Sequence, residues 1–192
     1  MTTAWLALVA FALGSFPMGV IVARVRGVDL RKVGSGNIGA TNVGRALGRG
    51  WAALVLIVDA SKGFAPTALA LHLRLAAFGV AAVAVTAVLG HTFSIFLKGR
   101  GGKGVATSFG AALALSPPAA LSVAALYGLV FAASRISSVG SLTAVLGFPV
   151  ALAVLGDREP AHYAFAAAVI IVVTVRHREN LRRLARGEEH RA

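Results

Sequence analysis

The sequence predicts an all-α integral membrane protein with seven transmembrane helices, its N-terminus outside and its C-terminus in the cytoplasm. Three observations predict this fold. Apolar residues make up 57% of the 192 residues and charged residues only 14%, against roughly 25% charged residues in soluble domains. Uncharged runs of about bilayer length recur along the whole chain. Sixteen of the 19 lysines and arginines fall in segments that this arrangement places on one side of the membrane, as the positive-inside rule requires.

The predicted spans have the apolar content, and most of them about the length, that the bilayer core requires. The first is an uncharged run that ends before Arg24. Because no basic segment precedes it, we expect a span rather than a cleaved signal peptide. The fourth span is short, and we expect it to be accommodated by tilt, local thinning of the bilayer or shielding by neighbouring helices. In chain order, the seven spans are Ala4–Ala23, Trp51–Leu71, Leu75–Leu97, Val105–Leu115, Ala119–Ser134, Ile136–Gly156 and Ala161–Val175.

The number of spans depends on how the uncharged stretch Val105–Ser134 is divided. Ser116–Pro118 interrupts it, and consecutive prolines remove two backbone donors and disfavour a helical residue before them. If this stretch were one helix, the six basic residues of Arg176–Ala192 would move to the outer side, against the positive-inside rule. We therefore predict two helices here, and a single domain over residues 1–192.

Composition also bears on partners and cofactors. The chain has no cysteine, which excludes disulfides and thiolate metal sites. Its net charge of +12 would favour nucleic acid in a soluble protein, but the positive-inside rule accounts for most of it. Two tryptophans among few aromatics give no stacking platform for bases. We predict no nucleic-acid partner, no metal and no cofactor.

A first glycine-rich polar string, Gly34–Asn42, leads into Arg45. Glycine accepts positive φ, and strings of this kind allow backbone N–H groups to converge on an anion. Ser35 and Asn37 would add side-chain hydrogen bonds, and Arg45 a bidentate fork. The alternative is an irregular loop that enters a helix, in which Ser and Asn serve as caps.

A second glycine-rich string, Gly99–Thr107, carries Lys103. It is not a Walker A motif, because Leu97 stands where the first glycine is needed and Gly104 stands where Ser or Thr must follow the lysine. ATP hydrolysis is therefore disfavoured. Lys103 precedes the predicted helix Val105–Leu115, whose N-terminus favours anions. The alternative is a lysine that marks the membrane boundary.

Other polar residues give weaker signals. His177 and Asn180 are three residues apart and share a helix face, although a histidine in a basic tail is more often only solvated. Asp59 and Lys62 lie inside the second span, where pairing with each other as a structural salt bridge is the leading interpretation. Three serines follow Arg135 at a predicted cytoplasmic boundary, where capping of the next helix is the default interpretation and contact with substrate is the second: Ser137, Ser138 and Ser141.

The chain lacks the usual acyl-transfer bases. No histidine is followed by an aspartate five residues later, as the His–x4–Asp pair of soluble-type acyltransferases requires, and no Ser–His–Asp set is evident. If acyl transfer occurs, the acyl donor must be strongly activated or the substrate must supply the base.

Four strings in this order, GSGNIGATN, GRGGKGVAT, SRISSVGS and HRENLRRLARGEE, resemble the bacterial PlsY-type acyl-phosphate:glycerol-3-phosphate acyltransferases. The likeness extends to Gly14–Pro17, Asp59-x-x-Lys62-Gly63 and Gly90-His91-x-Phe93, and covers essentially the whole chain. The resemblance implies a seven-helix enzyme of the bacterial cytoplasmic (inner) membrane. It would transfer a fatty acyl group from acyl phosphate to the 1-hydroxyl of glycerol 3-phosphate, giving lysophosphatidic acid and phosphate. It also implies coupling to an enzyme that produces acyl phosphate.

The resemblance further implies roles for particular residues. Those with catalytic roles are Ser35, Arg45, Lys103, His177 and Asn180. The substrate-binding set comprises these five together with Gly34, Gly36, Asn37, Thr41, Asn42, Gly101, Gly102, Gly104 and Ser141. No protein residue would act as general base, since the phosphate of the donor would serve instead.

A second hypothesis comes from another class of protein. A transporter or flippase for a phosphorylated metabolite would also place basic loops around its substrate. Inverted repeats would favour transport, and the sequence contains none that we can detect. A purely structural membrane protein would leave the two glycine-rich strings unexplained.

Overall fold

Ten α-helices and two short 3₁₀ turns make up the regular structure of residues 1–191, which are the residues that this computed structural model describes. No strand occurs within that range. The helices are α1 (Thr2–Ser15), α2 (Met18–Val25), α3 (Ala40–Leu47), α4 (Arg49–His72), α5 (Ala77–Thr92), α6 (Val105–Leu115), α7 (Pro117–Ser134), α8 (Ser137–Val154), α9 (Pro160–Arg176) and α10 (Arg178–Ala185). The 3₁₀ turns are Leu30–Lys32 and Ile95–Leu97.

Five segments in the described chain are long and apolar enough to cross a bilayer: α1 with α2, α4, α5 with its following turn, α7 and α8. Helices α9 and α10, which are bent by 59° at their junction, count as a sixth only if the pair is taken as one span. Helix α6 has 11 residues, or about 16 Å at 1.5 Å per residue, roughly half of the hydrocarbon core. The all-helical membrane fold is confirmed, whereas seven spans and their orientation stay a prediction.

Prolines set two of the helix boundaries. As predicted, α6 ends at Leu115 and a break follows, but α7 begins at Pro117 rather than at Ala119. The first predicted span is not one continuous helix, because Pro17, which lacks an N–H group, separates α1 from α2. Lys62 Nζ donates to the Phe16 carbonyl oxygen at this break, at 2.5 Å, and also pairs with Asp59 as predicted. The break is thus stabilised by a charge buried in α4.

Close backbone packing aligns α6 with α4. A Cβ on Gly63 of α4 would lie 1.9 Å from the Thr107 carbonyl oxygen of α6, so only glycine permits this approach. Small residues commonly allow helices to pack closely in membranes, where hydrophobic association between helices is weak. This contact fixes the N-terminus of α6 relative to the bundle.

Both glycine-rich strings and the C-terminal tail lie at one end of the bundle. The guanidinium of Arg31 donates to the Gly36 carbonyl of the first string, at 3.4 Å, and to the Arg100 carbonyl of the second. Arg45 Nη2 donates to the His190 carbonyl of the tail at 3.3 Å. Three segments far apart in sequence therefore form one polar surface.

Candidate active site

A hydrogen-bonded chain of side chains joins the second string to the tail. Lys103 Nζ donates to Asn180 Oδ1 at 2.5 Å, and Asn180 Nδ2 donates to Glu189 Oε1 at 2.6 Å. The Glu189 carboxylate also accepts from Ser138 Oγ at 3.1 Å and from Arg183 Nε at 2.8 Å. Lys103 and Asn180 were predicted from the sequence. Glu189, Ser138 and Arg183 were not assigned to the site, because nothing local in the sequence indicates such distant contacts.

The charge at this end of the bundle is predominantly positive. Burial, together with the charges of Arg183, Arg45 and Arg176 and against the opposing effect of Glu189, lowers the pKa of Lys103 to about 8. Four cations therefore act around one carboxylate. Such a group of charges is stabilised by a bound anion, since an opposite charge restores the charged form of a buried lysine.

His177 lies in the break between α9 and α10, and its side chain is buried. Its Nδ1 lies 2.8 Å from the Val173 carbonyl oxygen. A carbonyl only accepts, so Nδ1 carries the proton and Nε2 is left as an acceptor. Burial, aided by the charge of Lys103, lowers the pKa of His177 to about 4. His177 is thus neutral at pH 7, able to accept a hydrogen bond and weak as a base.

Arg45 has an unsatisfied donor. Its Nε is buried and has no hydrogen-bond partner within residues 1–191, while its Nη2 binds the tail carbonyl. Buried polar side-chain atoms are usually hydrogen-bonded, and exceptions call for an explanation. A ligand with acceptor oxygens next to Arg45 would satisfy this donor.

Asn42 organises the first string from within. Its Oδ1 accepts from the Ser35 N–H at 3.1 Å. Its Nδ2 donates to the carbonyls of Leu30, Val33 and Asn37 at 3.3, 3.0 and 2.8 Å. The side chain is buried and fully engaged with the loop backbone. Asn42 thus shapes the loop, and its direct contact with substrate stays a prediction.

The glycine N–H groups do not converge on an anion as the sequence suggested. Gly36 N donates to the Val33 carbonyl at 3.0 Å, and Gly101 N and Gly102 N donate at 3.1 and 3.0 Å to carbonyls in the last turn of α5. The C-terminal carbonyls of a helix lack intrahelical partners. Gly101 and Gly102 therefore supply hydrogen bonds to the unpaired carbonyls at the end of α5. The predicted role of these three N–H groups is wrong.

In the described chain, backbone N–H groups without an acceptor lie in the first turn of the helix that follows each string. α3 begins after Gly39, and α6 begins after Gly104, which has φ +86°. Within residues 1–191, the N–H groups of Ala40 and Thr41 in α3, and those of Val105, Ala106 and Thr107 in α6, have no acceptor. First-turn N–H groups attract anions. The donors are thus supplied by helix N-termini rather than by the glycines.

The remaining predicted residues surround this core without a hydrogen bond to the Lys103–Asn180 pair in the described chain. Thr41 Oγ1 lies 3.1 Å from Ser137 Oγ. Ser141 is buried and its hydroxyl donates to the Ser137 carbonyl at 2.8 Å, which leaves its lone pairs able to accept. Ser35 is half-buried, whereas Gly34, beside the Arg45 side chain, is exposed.

Arg176 is a further residue that sequence reasoning did not assign. It ends α9, one residue before His177, and donates to the carbonyls of Gly101 and Gly102 at 2.9 and 3.2 Å. A single basic residue at the end of an apolar span is typical of the membrane boundary. Nothing in the sequence therefore indicates that Arg176 contacts the second string.

A bundle of membrane-length apolar helices with a partly buried cluster of cations at one end defines a polytopic membrane protein with a cationic site. The sequence matches the family model for glycerol-3-phosphate acyltransferase over residues 4–187, and the chain belongs to this family. The glycerol-3-phosphate acyltransferase of Rubrobacter xylanophilus is 45% identical, over 97% of this chain and 93% of that protein. The resemblance noted in the sequence is confirmed.

Two solved structures have the same fold. Both are crystal structures of PlsY, described as an integral membrane glycerol 3-phosphate acyltransferase. The glycerol 3-phosphate form has a TM-score of 0.95 and 38% identity, and covers 100% of this chain and 96% of that chain. The lysophosphatidic acid form has a TM-score of 0.93 and 36% identity, and covers 100% and 95%.

Proposed function

We propose that this protein transfers a fatty acyl group from acyl phosphate to the 1-hydroxyl of glycerol 3-phosphate, giving lysophosphatidic acid and inorganic phosphate. Membership of the glycerol-3-phosphate acyltransferase family supports the reaction. In this chain, the observation that carries the proposal is the Lys103–Asn180 pair, set among three arginines at the end of a membrane bundle. A phosphorylated hydrophilic acceptor fits that charge, and a lipid-soluble donor fits that location.

The phosphate of glycerol 3-phosphate is bound by Lys103 and Arg45 in this proposal. The Lys103 ammonium is positioned by the neutral amide oxygen of Asn180, so its charge is still available to the ligand. The unsatisfied Arg45 Nε gains an acceptor. The N–H groups in the first turn of α6 add further donors. Charge-assisted hydrogen bonds of this kind are about twice as strong as neutral ones.

The glycerol end is held by His177, Asn180 and Ser141. Neutral His177 accepts a hydrogen bond from a glycerol hydroxyl through Nε2, and its low pKa makes it a positioning group rather than a base. The first glycine-rich string binds the second substrate: the Ser35 hydroxyl and the N-terminus of α3 bind the phosphate of the acyl phosphate. Asn37 lines this part of the site, and Asn42 holds the loop in shape.

The reaction then needs little from protein acids or bases. The 1-hydroxyl oxygen of glycerol 3-phosphate forms a bond to the acyl carbonyl carbon, and the bond from that carbon to the phosphate oxygen breaks. The hydroxyl proton passes to the departing phosphate. Because an acyl phosphate is a mixed anhydride with a good leaving group, orientation and charge stabilisation supply most of the rate enhancement.

The membrane arrangement in the proposal is seven crossings with the site in the cytoplasm. Ser116, between α6 and α7, lies beside Asp157, between α8 and α9. Ser137, which follows α7, contacts Thr41 at the site end. If α7 spans the bilayer, α6 must reach the opposite side despite its length. The basic residues then favour a site that faces the cytoplasm, and the bacterial relatives favour the inner membrane.

Acyl phosphate is a reactive anhydride with a long apolar chain. We therefore expect its supply from an enzyme that makes acyl phosphate at the same membrane, so that little is lost to hydrolysis.

The test is an assay of the purified protein with radiolabelled glycerol 3-phosphate and either acyl phosphate or acyl-CoA. We expect labelled lipid and one phosphate per lipid with acyl phosphate alone. Label that stays water-soluble would contradict the proposal. Uptake of unacylated glycerol 3-phosphate into sealed vesicles would favour the transporter hypothesis instead.

A further inference from the structure

Arg176 makes a forked contact with the second string. Its Nη2 donates to the Gly101 carbonyl at 2.9 Å and its Nε to the Gly102 carbonyl at 3.2 Å. Its guanidinium carbon also lies 5.9 Å from the centre of the Phe93 ring. A planar guanidinium with fixed donors can hold two consecutive carbonyls at once, which a lysine ammonium on a flexible stem does less well.

The fork fixes the direction of two peptide groups. In a trans peptide, the C=O and the following N–H point in opposite directions. The Gly101 carbonyl faces Arg176, and the Gly102 N–H accordingly points away and donates to the His91 carbonyl at 3.0 Å. By the same geometry, the Gly102 carbonyl faces Arg176 and the Lys103 N–H points away from it. This N–H has no acceptor among residues 1–191.

We propose that Arg176 is a positioning residue for phosphate binding: it holds the Gly102–Lys103 peptide so that the Lys103 N–H joins the first-turn donors of α6. The inference rests on the proposed function, since the phosphate is that of the substrate. Arg176 also directly precedes His177, so the same contact ties the break between α9 and α10 to the string. Because Asn180 lies in α10, this contact also helps to set the distance between Lys103 and Asn180.

The position of Arg176 has an electrostatic cost that a boundary arginine would avoid. Its positive charge acts on Lys103 and contributes to the lowered pKa of that lysine. A neighbouring arginine, Arg178, is mostly exposed and pairs with Glu179 on the surface. Arg178 also supplies a positive charge at the membrane boundary, but its charge is not among those that lower the pKa of Lys103. The fork on the two carbonyls is what distinguishes Arg176.

The test compares Arg176→Gln and Arg176→Lys with the matched control Arg178→Gln, by steady-state kinetics at saturating acyl phosphate. We expect Arg176→Gln to raise KM for glycerol 3-phosphate at least about tenfold with kcat within about threefold, as loss of ground-state binding requires. Arg176→Lys should recover only part of this, and Arg178→Gln should match the unaltered protein. A second readout without turnover is the rise in thermal midpoint caused by inorganic phosphate, which Arg176→Gln should largely lose.

Two outcomes would overturn the inference. One is an unchanged KM in Arg176→Gln, whether or not its kcat and thermal midpoint fall. The other is full recovery by Arg176→Lys. Such a recovery would show that charge alone suffices. If Arg176→Gln is not obtained folded, the KM of Arg176→Lys decides in the same way. An unaltered protein that makes no lipid from acyl phosphate would count against the proposed function instead, and phosphate stabilisation would still test Arg176.

Discussion

The Lys103 ammonium and the Asn180 side-chain oxygen are 2.5 Å apart, although 77 residues of sequence separate them. The partner is a neutral amide rather than a carboxylate. An amide oxygen orients the ammonium without cancelling its charge, so an incoming phosphate does not have to displace an ion pair. Glu189, the carboxylate whose charge acts on Lys103, is hydrogen-bonded to Asn180 and not to the ammonium.

Replacing Lys103 by alanine should remove most activity, whereas Lys98→Ala should matter far less. Lys98 is exposed at the membrane boundary, while Lys103 belongs to the site. Loss of one charge-assisted contact costs on the order of 1.5–3 kcal/mol, or at least about tenfold in rate or affinity. Measurement of kcat and KM for both variants checks this. Equal activities would contradict the phosphate-binding role of Lys103.

Activity should fall as the pH rises through about 8. Burial and neighbouring cations lower the pKa of Lys103 to about 8, and the protonated form, which binds phosphate, is present below that value and lost above it. The profile of kcat/KM for glycerol 3-phosphate reports the free enzyme and should show this alkaline limb. Lys103→Arg should move the limb to higher pH, because arginine stays charged. A limb that is identical in Lys103→Arg would assign it to another group.

Replacing His177 by glutamine or asparagine should weaken glycerol 3-phosphate binding more than it slows the chemistry. The pKa of His177 is lowered to about 4, so its titration should produce no limb near 6.5, the ordinary histidine value. KM should rise, with kcat partly retained at saturation. A positioned base contributes roughly 10²–10⁴-fold. A thousandfold fall in kcat at unchanged KM would identify His177 as the base.

The tail should be labelled only from the cytoplasm. The chain has no cysteine, so Arg186→Cys introduces a single thiol at an exposed position. In intact cells, a membrane-impermeant maleimide should not react, and permeabilised cells should be labelled strongly. Strong labelling of intact cells would reverse the predicted orientation and place the whole site outside.

Local chemistry made part of the structure predictable from the sequence. The break before Pro117 follows from the missing proline N–H, and the pairing of Asp59 with Lys62 follows from the cost of isolated charges in a span. The direction of a peptide group does not follow from residue types. Gly101 and Gly102 were therefore expected to donate to an anion, yet they donate to the end of α5.

Long-range contacts limited the prediction of the site in the same way. Asn42 and Asn180 are equally polar in sequence, but one is engaged by its own loop and the other by Lys103. Glu189 lies in a charged tail of the kind that is usually solvated. Its contact with Ser138 joins residues 51 positions apart, and no local pattern encodes it.

The contact between Arg45 and the His190 carbonyl has a consequence for biosynthesis. Arg45 emerges early from the ribosome, whereas the tail follows the last helix of the bundle. A chain whose later helices are not yet inserted therefore lacks the pocket, whatever part of its cationic loops has already folded. Nascent and truncated chains in the membrane should not acylate glycerol 3-phosphate, and activity should appear only once the tail has docked.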